Sequence, residues 1–162
     1  MKKNAVLSGL MVALMIFLSS CSKEQDLDKE IQAIKGVINS ETQAWIDKNP
    51  EKMKEFYIHD ALQTRVNIQD SIYTVATGWD KRAIAIDTLA KYADWVGVDA
   101  FKVEKEYLAI KVNDDAAWAI LKETQNMVYN GAPAKSVAII NVMLEKVDNK
   151  DWKISCFVKS NI

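Results

Sequence analysis

The stretch that decides the fold spans residues 117–147 and reads AWAILKETQNMVY-NGAPA-KSVAIINVMLEKV. Two long runs rich in strand-forming residues surround an Asn-Gly pair at 130–131, which favours a hairpin turn. Pro133 predicts that the loop is longer than two residues. Similar runs at 101–112 and 152–158 are separated from this stretch by short polar turns. The C-terminal half therefore predicts four strands in an antiparallel meander.

The segment before the meander alternates between helical and strand patterns. Apolar residues within 27–45 fall three and four positions apart, which predicts an amphipathic helix. Asn and Pro at 49–50 suit the cap and first position of a short second helix. A hairpin over 62–77 and a third helix over about 81–95 follow. In the next strand, a change of phase near Lys105 indicates a β-bulge.

The N-terminus carries a targeting pattern. Lys2 and Lys3 precede an apolar segment at 5–18, which is too short to span a bilayer comfortably. Leu18-Ser19-Ser20-Cys21 closes this segment and resembles the lipobox of bacterial lipoproteins, in which the cysteine is lipidated and becomes the mature N-terminus. An ordinary secretory signal and an uncleaved membrane anchor are the alternatives.

The targeting pattern divides the chain into three parts. Residues 1–20 are predicted to be a lipoprotein signal peptide, residues 21–26 the lipidated Cys21 with a short tether, and residues 27–162 one folded domain. Acyl chains on Cys21 would attach the protein to a membrane by burying methylene groups. We therefore expect the protein to lie in the bacterial cell envelope, attached to the outer membrane. It could face either the periplasm or the cell exterior.

Charge and cysteine content exclude several classes of protein. The chain has 21 basic and 22 acidic residues; without the two lysines of the signal the counts are 19 and 22, a net charge of −3. This balance argues against a nucleic-acid-binding protein. If Cys21 carries lipid, Cys156 has no partner for an intrachain disulfide, and we expect it to be a small buried residue. A single histidine and the lack of paired cysteines predict no metal and no cofactor.

Three short motifs carry a resemblance to a known family. AWID at 44–47, MKEFYIHDA at 53–61 and GWD at 78–80 resemble the SnoaL-like group of the nuclear transport factor 2-like superfamily. The resemblance implies an α+β fold in which a cone-shaped, mixed, mostly antiparallel sheet wraps around three N-terminal helices. It also implies an apolar cavity at the open end. The superfamily includes isomerases, dehydratases, cyclases and domains that only bind or associate, so the fold does not settle the function.

No catalytic pair can be identified from the residues. His59 is the only histidine, but adjacent residues in an extended segment point to opposite sides, so Asp60 is badly placed to orient it. His59 is therefore interpreted as a surface or junction residue. The candidate ligand-binding residues are the aromatic side chains and one amide that would line a cone, with core packing as the alternative for each ring: Tyr92, Trp95, Trp118, Tyr57, Trp45 and Asn141.

Two functions remain open. The first is a non-enzymatic lipoprotein whose cone binds a small apolar or amphipathic ligand, or an envelope partner. The alternative is a cofactor-independent isomerase, hydratase or cyclase, with Glu123 as general base and Asn141 or a tyrosine as hydrogen-bond donor. Glu123 and Gln125 could equally face solvent, since antiparallel sheets commonly expose one face. Arg65 could pair with an anionic ligand or lie on an exposed strand, and a homodimer through the sheet is plausible.

The lipobox interpretation predicts that Cys21→Ser abolishes lipidation, because the modified thiol is lost. We expect the variant to leave the membrane fraction or to accumulate as the precursor, as measured by fractionation and intact mass. Cys156→Ser is the matched control and should behave as the unmodified chain. A Cys21→Ser protein that is still processed and membrane-bound would contradict the interpretation.

Overall fold

The fold is seen in a computed structural model that describes residues 26–92, 98–148 and 150–162. Within these residues the chain forms three helices and six strands. In chain order they are α1 (26–46), α2 (Pro50–Lys54), β1 (Thr64–Gln69), β2 (Ile72–Thr77), α3 (Trp79–Tyr92), β3 (Val98–Asn113), β4 (Ala116–Tyr129), β5 (Ala132–Val147) and β6 (Asp151–Asn161). Cys21 and Trp95 lie outside the described residues, so what is predicted for them stays a prediction.

The six strands belong to one curved sheet in the order β2-β1-β6-β5-β4-β3. β1 runs parallel to β6, and every other neighbouring pair is antiparallel. This arrangement confirms the predicted α+β class with a mixed, mostly antiparallel sheet. In the described part of the chain, no helix combines the length and apolar character needed to cross a membrane.

Local sequence signals set the helix start and the central hairpin. The side chain of Asn49 accepts a hydrogen bond from the backbone N–H of Lys52 at 2.9 Å, as expected for the cap of α2. Asn130 and Gly131 form a turn between β4 and β5 with positive φ angles of 48° and 75°. Both values suit the residues present, because Asn and Gly tolerate the left-handed region best.

The prediction of a longer loop at Pro133 is wrong. β5 already pairs with β4 at Ala132, so the turn contains two residues. Proline is tolerated here because β6 joins β5 only from Ala138 onward. Beside Pro133, β5 therefore pairs with β4 alone. The N–H that proline lacks is not needed to pair with a second strand.

A β-bulge in β6 changes which side chains face the helices. Cys156 pairs with Met143, but Ile154 pairs with Leu144, so Ser155 is an extra residue relative to β5. One extra residue reverses the alternation of a strand. Ile154 consequently faces the core while Cys156 faces outward and is half-buried, which corrects the expectation that Cys156 is a core residue. The odd-numbered residues after the bulge enter the cone.

A second bulge reverses β3 in the same way. Tyr107 pairs with Leu121 and Ala109 with Ile120, which leaves Leu108 as the extra residue. The predicted change of phase is therefore present, three residues after Lys105. Lys105 itself lies before the bulge and faces inward.

The core fills the space between the inner face of the sheet and the helices. On α3, Ile86 is fully buried and Ile84 is 66% exposed, so the side of the helix that carries Ile86 packs against the core. The fully buried aliphatic residues come from both layers: Ile34, Ile38, Ile86, Leu121, Val142, Ile140, Leu144 and Ile154.

The first turns of α1 are fastened to the sheet by a polar contact. The carboxylate of Glu30 accepts hydrogen bonds from Lys146 Nζ and from Trp152 Nε1, both at 2.6 Å. These hydrogen bonds, first of all the one from Lys146, hold the pKa of Glu30 below its ordinary value of 4.5. The contact places the N-terminal end of α1 beside the start of β6.

Glu30→Gln should lower the free energy of unfolding by about 1 kcal/mol at pH 7, because a charge-assisted contact is lost. A lowered folded-state pKa contributes stability above the unfolded-state pKa and loses it as the pH falls through the folded-state value. The difference between variant and unmodified chain should therefore shrink as the pH falls below about 4.5. Urea unfolding followed by circular dichroism measures it.

The neighbouring exposed residue Glu145 provides the control for this test. Glu145→Gln removes the same charge without a hydrogen-bonded partner and should change stability little. Equal losses for the two variants, or a Glu30→Gln difference that persists at low pH, would contradict the assigned role of Glu30.

Candidate functional site

The candidate site is a cavity of about 480 Å³ inside the cone. Its walls come from α1, α3, the β1–β2 hairpin and the inner faces of β4 and β6. A second depression of similar volume, at the end of β3, β4 and β5, is more open and is bordered by residues such as Phe101 and Met127. The first cavity is the better candidate because several charged side chains converge on it.

Three cationic and two anionic side chains line this cavity. The cations belong to Arg65, Arg82 and Lys159, and the carboxylates to Glu41 and Glu123. Arg82, Glu41 and Glu123 are each only 5% exposed. The lining therefore carries a formal charge of +1, which differs from the apolar cavity that the family resemblance implies. Buried charges require partners, and they form two clusters.

The first cluster is centred on the hydroxyl of Tyr57. This hydroxyl donates to Glu41 Oε1 at 2.5 Å and accepts from Arg82 Nη2 at 2.7 Å, with a longer contact of 3.4 Å from Arg65 Nη1. The guanidinium of Arg82 also lies 4.6 Å from the centroid of the Tyr57 ring. Burial and the Glu41 charge raise the pKa of Tyr57 to about 12. Tyr57 is therefore a neutral donor near neutral pH and holds Glu41 in place.

The second cluster is centred on the carboxylate of Glu123. It receives Gln125 Nε2 at 2.9 Å, Lys159 Nζ at 3.1 Å and Lys105 Nζ at 3.9 Å. Desolvation lowers the pKa of Lys105, while the Glu123 charge opposes this shift. Glu123 thus points into the cone, which excludes the solvent-facing alternative for this residue.

The predicted aromatic lining is only partly present. Trp45 lines the cavity, and Tyr57 lies behind it in the first cluster. Trp118 is 41% exposed on the outer face of the sheet, which corrects its predicted place in the cone. The reason is strand alternation, since its neighbours Ala117 and Ala119 are buried on the inner face. The side chain of Tyr92, like Trp95, lies outside what the structure describes.

Asn141 also lies on the outer face. Its neighbours Ile140 and Val142 are buried in the core, and Asn141 pairs with Ile120 and Val158. It therefore does not line the cone, and its side chain faces away from that of Glu123. The predicted general base and hydrogen-bond donor are not brought together.

His59 is exposed at the junction after α2, as expected. Its ring stacks on Trp79 with centroids 3.7 Å apart, and its Nε2 lies 3.0 Å from the carbonyl oxygen of Lys54. Asp60 accepts hydrogen bonds from the backbone N–H groups of Leu62 and Gln63 and stabilises a turn. In the described ranges, no group of three acidic, histidine or cysteine side chains is placed to hold a metal ion.

The sequence did not identify Glu41, Arg82 and Lys159 as cavity residues, because charged side chains are usually exposed to solvent. Glu41 follows the buried Ile38 by three positions and so falls on the buried stripe of α1, and Arg82 precedes Ile86 by four. A charged residue three or four positions from a buried apolar residue of the same helix could have indicated that it faces the interior. Lys159 gave no such signal, because its orientation depends on the bulge at Ser155.

Several solved structures share this architecture. A nuclear transport factor 2-like protein with a cystatin-like fold from Novosphingobium aromaticivorans superposes with a TM-score of 0.65 and 14% identity, covering 90% of each chain. A nuclear transport factor 2-like superfamily protein from Salmonella enterica gives 0.63 and 17%, covering 80% of this chain and 89% of that one. A ketosteroid isomerase-like protein from Erwinia carotovora gives 0.60 and 15%, covering 82% and 96%.

Comparison by sequence adds no closer relationship. No family model matches the chain, and no curated protein matches it significantly. The structural likenesses, at identities of 14–17%, establish architecture and not activity. The chain therefore has the cone-shaped fold of the nuclear transport factor 2-like proteins, as its sequence motifs predicted.

Proposed function

We propose that this protein is a cell-envelope lipoprotein whose cone binds a small amphipathic ligand without transforming it. The observation that carries the proposal is the cavity of about 480 Å³, which combines buried charges with apolar walls. Pockets for small molecules commonly measure about 300–1,000 Å³ and place a few polar groups in a largely apolar surface. Met53 and Phe157 supply apolar wall on the α2 and β6 sides.

The placement of the carboxylates favours binding over catalysis. Glu41 and Glu123 are the acidic groups in the cavity, and each accepts hydrogen bonds within its own cluster. Both carboxylates thereby compensate buried donors and cations of the cavity lining, which gives each a structural role. The isomerase, hydratase or cyclase alternative also loses Asn141 as a donor, since this residue lies on the outer face. The Tyr57 hydroxyl already donates to Glu41. Ketosteroid isomerase-like proteins share the fold but this does not transfer their chemistry.

The start of α1 and the hairpin end of the cavity lie at opposite ends of β6. Glu30, near the start of α1, contacts Trp152 at the beginning of β6. Ile68, at the far end of β1, pairs with Ser160 near the end of β6 and lines the cavity. The eight steps from Trp152 to Ser160 span about 25 Å at the usual rise of a strand. A lipid on Cys21 would therefore hold the protein with the cavity directed away from the membrane.

A filled cavity tests the binding proposal. Ala85 lines the cavity from α3, so Ala85→Phe should occupy part of the space and weaken binding of the neutral probe Nile red at least tenfold. The protein is the chain from residue 21 with Cys21→Ser, which contains every described residue. Fluorescence titration gives the affinity, and native mass spectrometry detects small molecules that copurify.

Ala83→Phe is the matched control, because Ala83 lies on the same helix and does not line the cavity. It should bind Nile red as the parent chain does. No binding by the parent, or equal binding by Ala85→Phe and its parent, would contradict a ligand-binding cavity.

We also propose that the outer face of the sheet pairs with a second copy of the chain. Trp118, Met143 and Cys156 form one row across β4, β5 and β6, because each is paired with the next. Trp118 is 41% and Met143 53% exposed. Large apolar side chains that adjoin on an exposed face are typical of interaction surfaces.

Trp118→Lys should convert a dimer into a monomer, because it places a charge in the centre of the row. Sedimentation velocity of the chain from residue 21 with Cys21→Ser measures this change. Leu62→Lys, at a position that is 80% exposed outside the row, is the control and should stay dimeric. A parent chain that is monomeric at high micromolar concentration would contradict the proposed pairing.

A further inference from the structure

The cavity combines buried charges with apolar wall. Its charged residues Glu41, Glu123 and Arg82 are each 5% exposed. Apolar wall comes from residues such as Met53 and Phe157. A ligand in the cavity would thus meet charged groups and apolar side chains together.

Arg65 is the cation best placed to receive a ligand. Its guanidinium lies 4.2 Å from the centroid of the Phe157 ring, which holds its plane in the cavity wall. Its contacts with Glu41, at 4.0 Å, and with the Tyr57 hydroxyl, at 3.4 Å, are both long. Glu41 makes its shorter hydrogen bond to Tyr57, at 2.5 Å. The charge of Arg65 is therefore only partly compensated.

Two further polar atoms in the cavity lining are buried without a partner. Arg82 Nε and Asn161 Oδ1 make no hydrogen bond with the described residues. An unpaired buried polar atom costs about 1–3 kcal/mol. An anionic head would satisfy the N–H of Arg82, and the amide of Asn161 can present either its oxygen or its nitrogen to the same head.

The charge balance selects an anion over a cation. Arg65, Arg82 and Lys159 oppose Glu41 and Glu123 in the lining, and Lys105 adds a further basic side chain beside Glu123. An anion would reduce the net positive charge of this buried region, whereas a cation would increase it. In an interior of low effective dielectric this difference is large.

We propose that the cavity binds an amphipathic anion, such as a carboxylate with an aliphatic chain. The head meets Arg65, and the chain lies against the apolar wall that includes Met53 and Phe157. This inference rests on the proposed ligand-binding function and specifies the chemical class of the ligand.

The experiment displaces Nile red with three ligands of equal chain length and different heads: octanoate, octanol and octyltrimethylammonium. Octanoate should bind at least about tenfold more tightly than either of the others, the equivalent of one charge-assisted hydrogen bond. Arg65→Gln should remove this preference and leave octanol binding unchanged. Arg65→Lys should restore part of it, because the positive charge is kept. Lys102→Gln, at an exposed position on β3, should change nothing.

Chain length tests whether the apolar wall takes part in binding. Octanoate should bind at least tenfold more tightly than butanoate, because the longer chain buries more apolar surface.

The outcomes separate the two levels of the proposal. Nile red bound in the cavity and displaced equally by octanoate and octanol would overturn the anion inference while ligand binding stands. Preference for the ammonium ligand would overturn it as well. Equal affinity for butanoate and octanoate would overturn the amphipathic character of the ligand. Absence of Nile red binding in the parent chain would overturn the proposed function itself. Thermal unfolding of each variant confirms that the comparisons use folded protein.

Discussion

In β6, Ser155 is one residue more than β5 can pair with, and this extra residue determines what enters the cone. Before it, Trp152 and Ile154 face the core; after it, Phe157 and Lys159 face the cavity. Without the bulge the strand would keep one alternation and would direct Lys159 to the outside. The apolar lower part of the cone and its charged upper part are thus built from a single strand.

The charged interior depends on this reversal because isolated charges are costly to bury. Glu123 is stabilised in the cone by Lys159 from β6 and by Lys105 from β3. Lys105 faces inward because it precedes the second bulge, at Leu108. The two irregularities place groups of opposite charge on the same side of the sheet. The cone-shaped fold can therefore hold a polar cavity, although the sequence motifs led us to expect an apolar one.

The same geometry explains why sequence patterns located the elements better than the site. Helix spacing, the Asn49 cap and the Asn-Gly turn are local signals, and the structure contains each of them. The orientation of Trp118 and Asn141 depends on how the alternation of each strand is aligned with the sheet. A shift of one residue moves a side chain to the other face. Aromatic side chains occur both in cavities and on surfaces that bind other proteins, so the residue type alone did not show which face Trp118 occupies.

The amino-acid sequence by itself determined the class of the fold and the order of its helices and strands, and it predicts a location in the cell envelope. These follow from periodicity, capping and a short targeting pattern, which act over a few neighbouring residues. The tertiary structure alone decided that Glu41, Arg65 and Arg82 meet around Tyr57. Their contacts join α1, α3, β1 and the segment after α2, and distances between such distant segments are set by packing of the whole sheet against the helices.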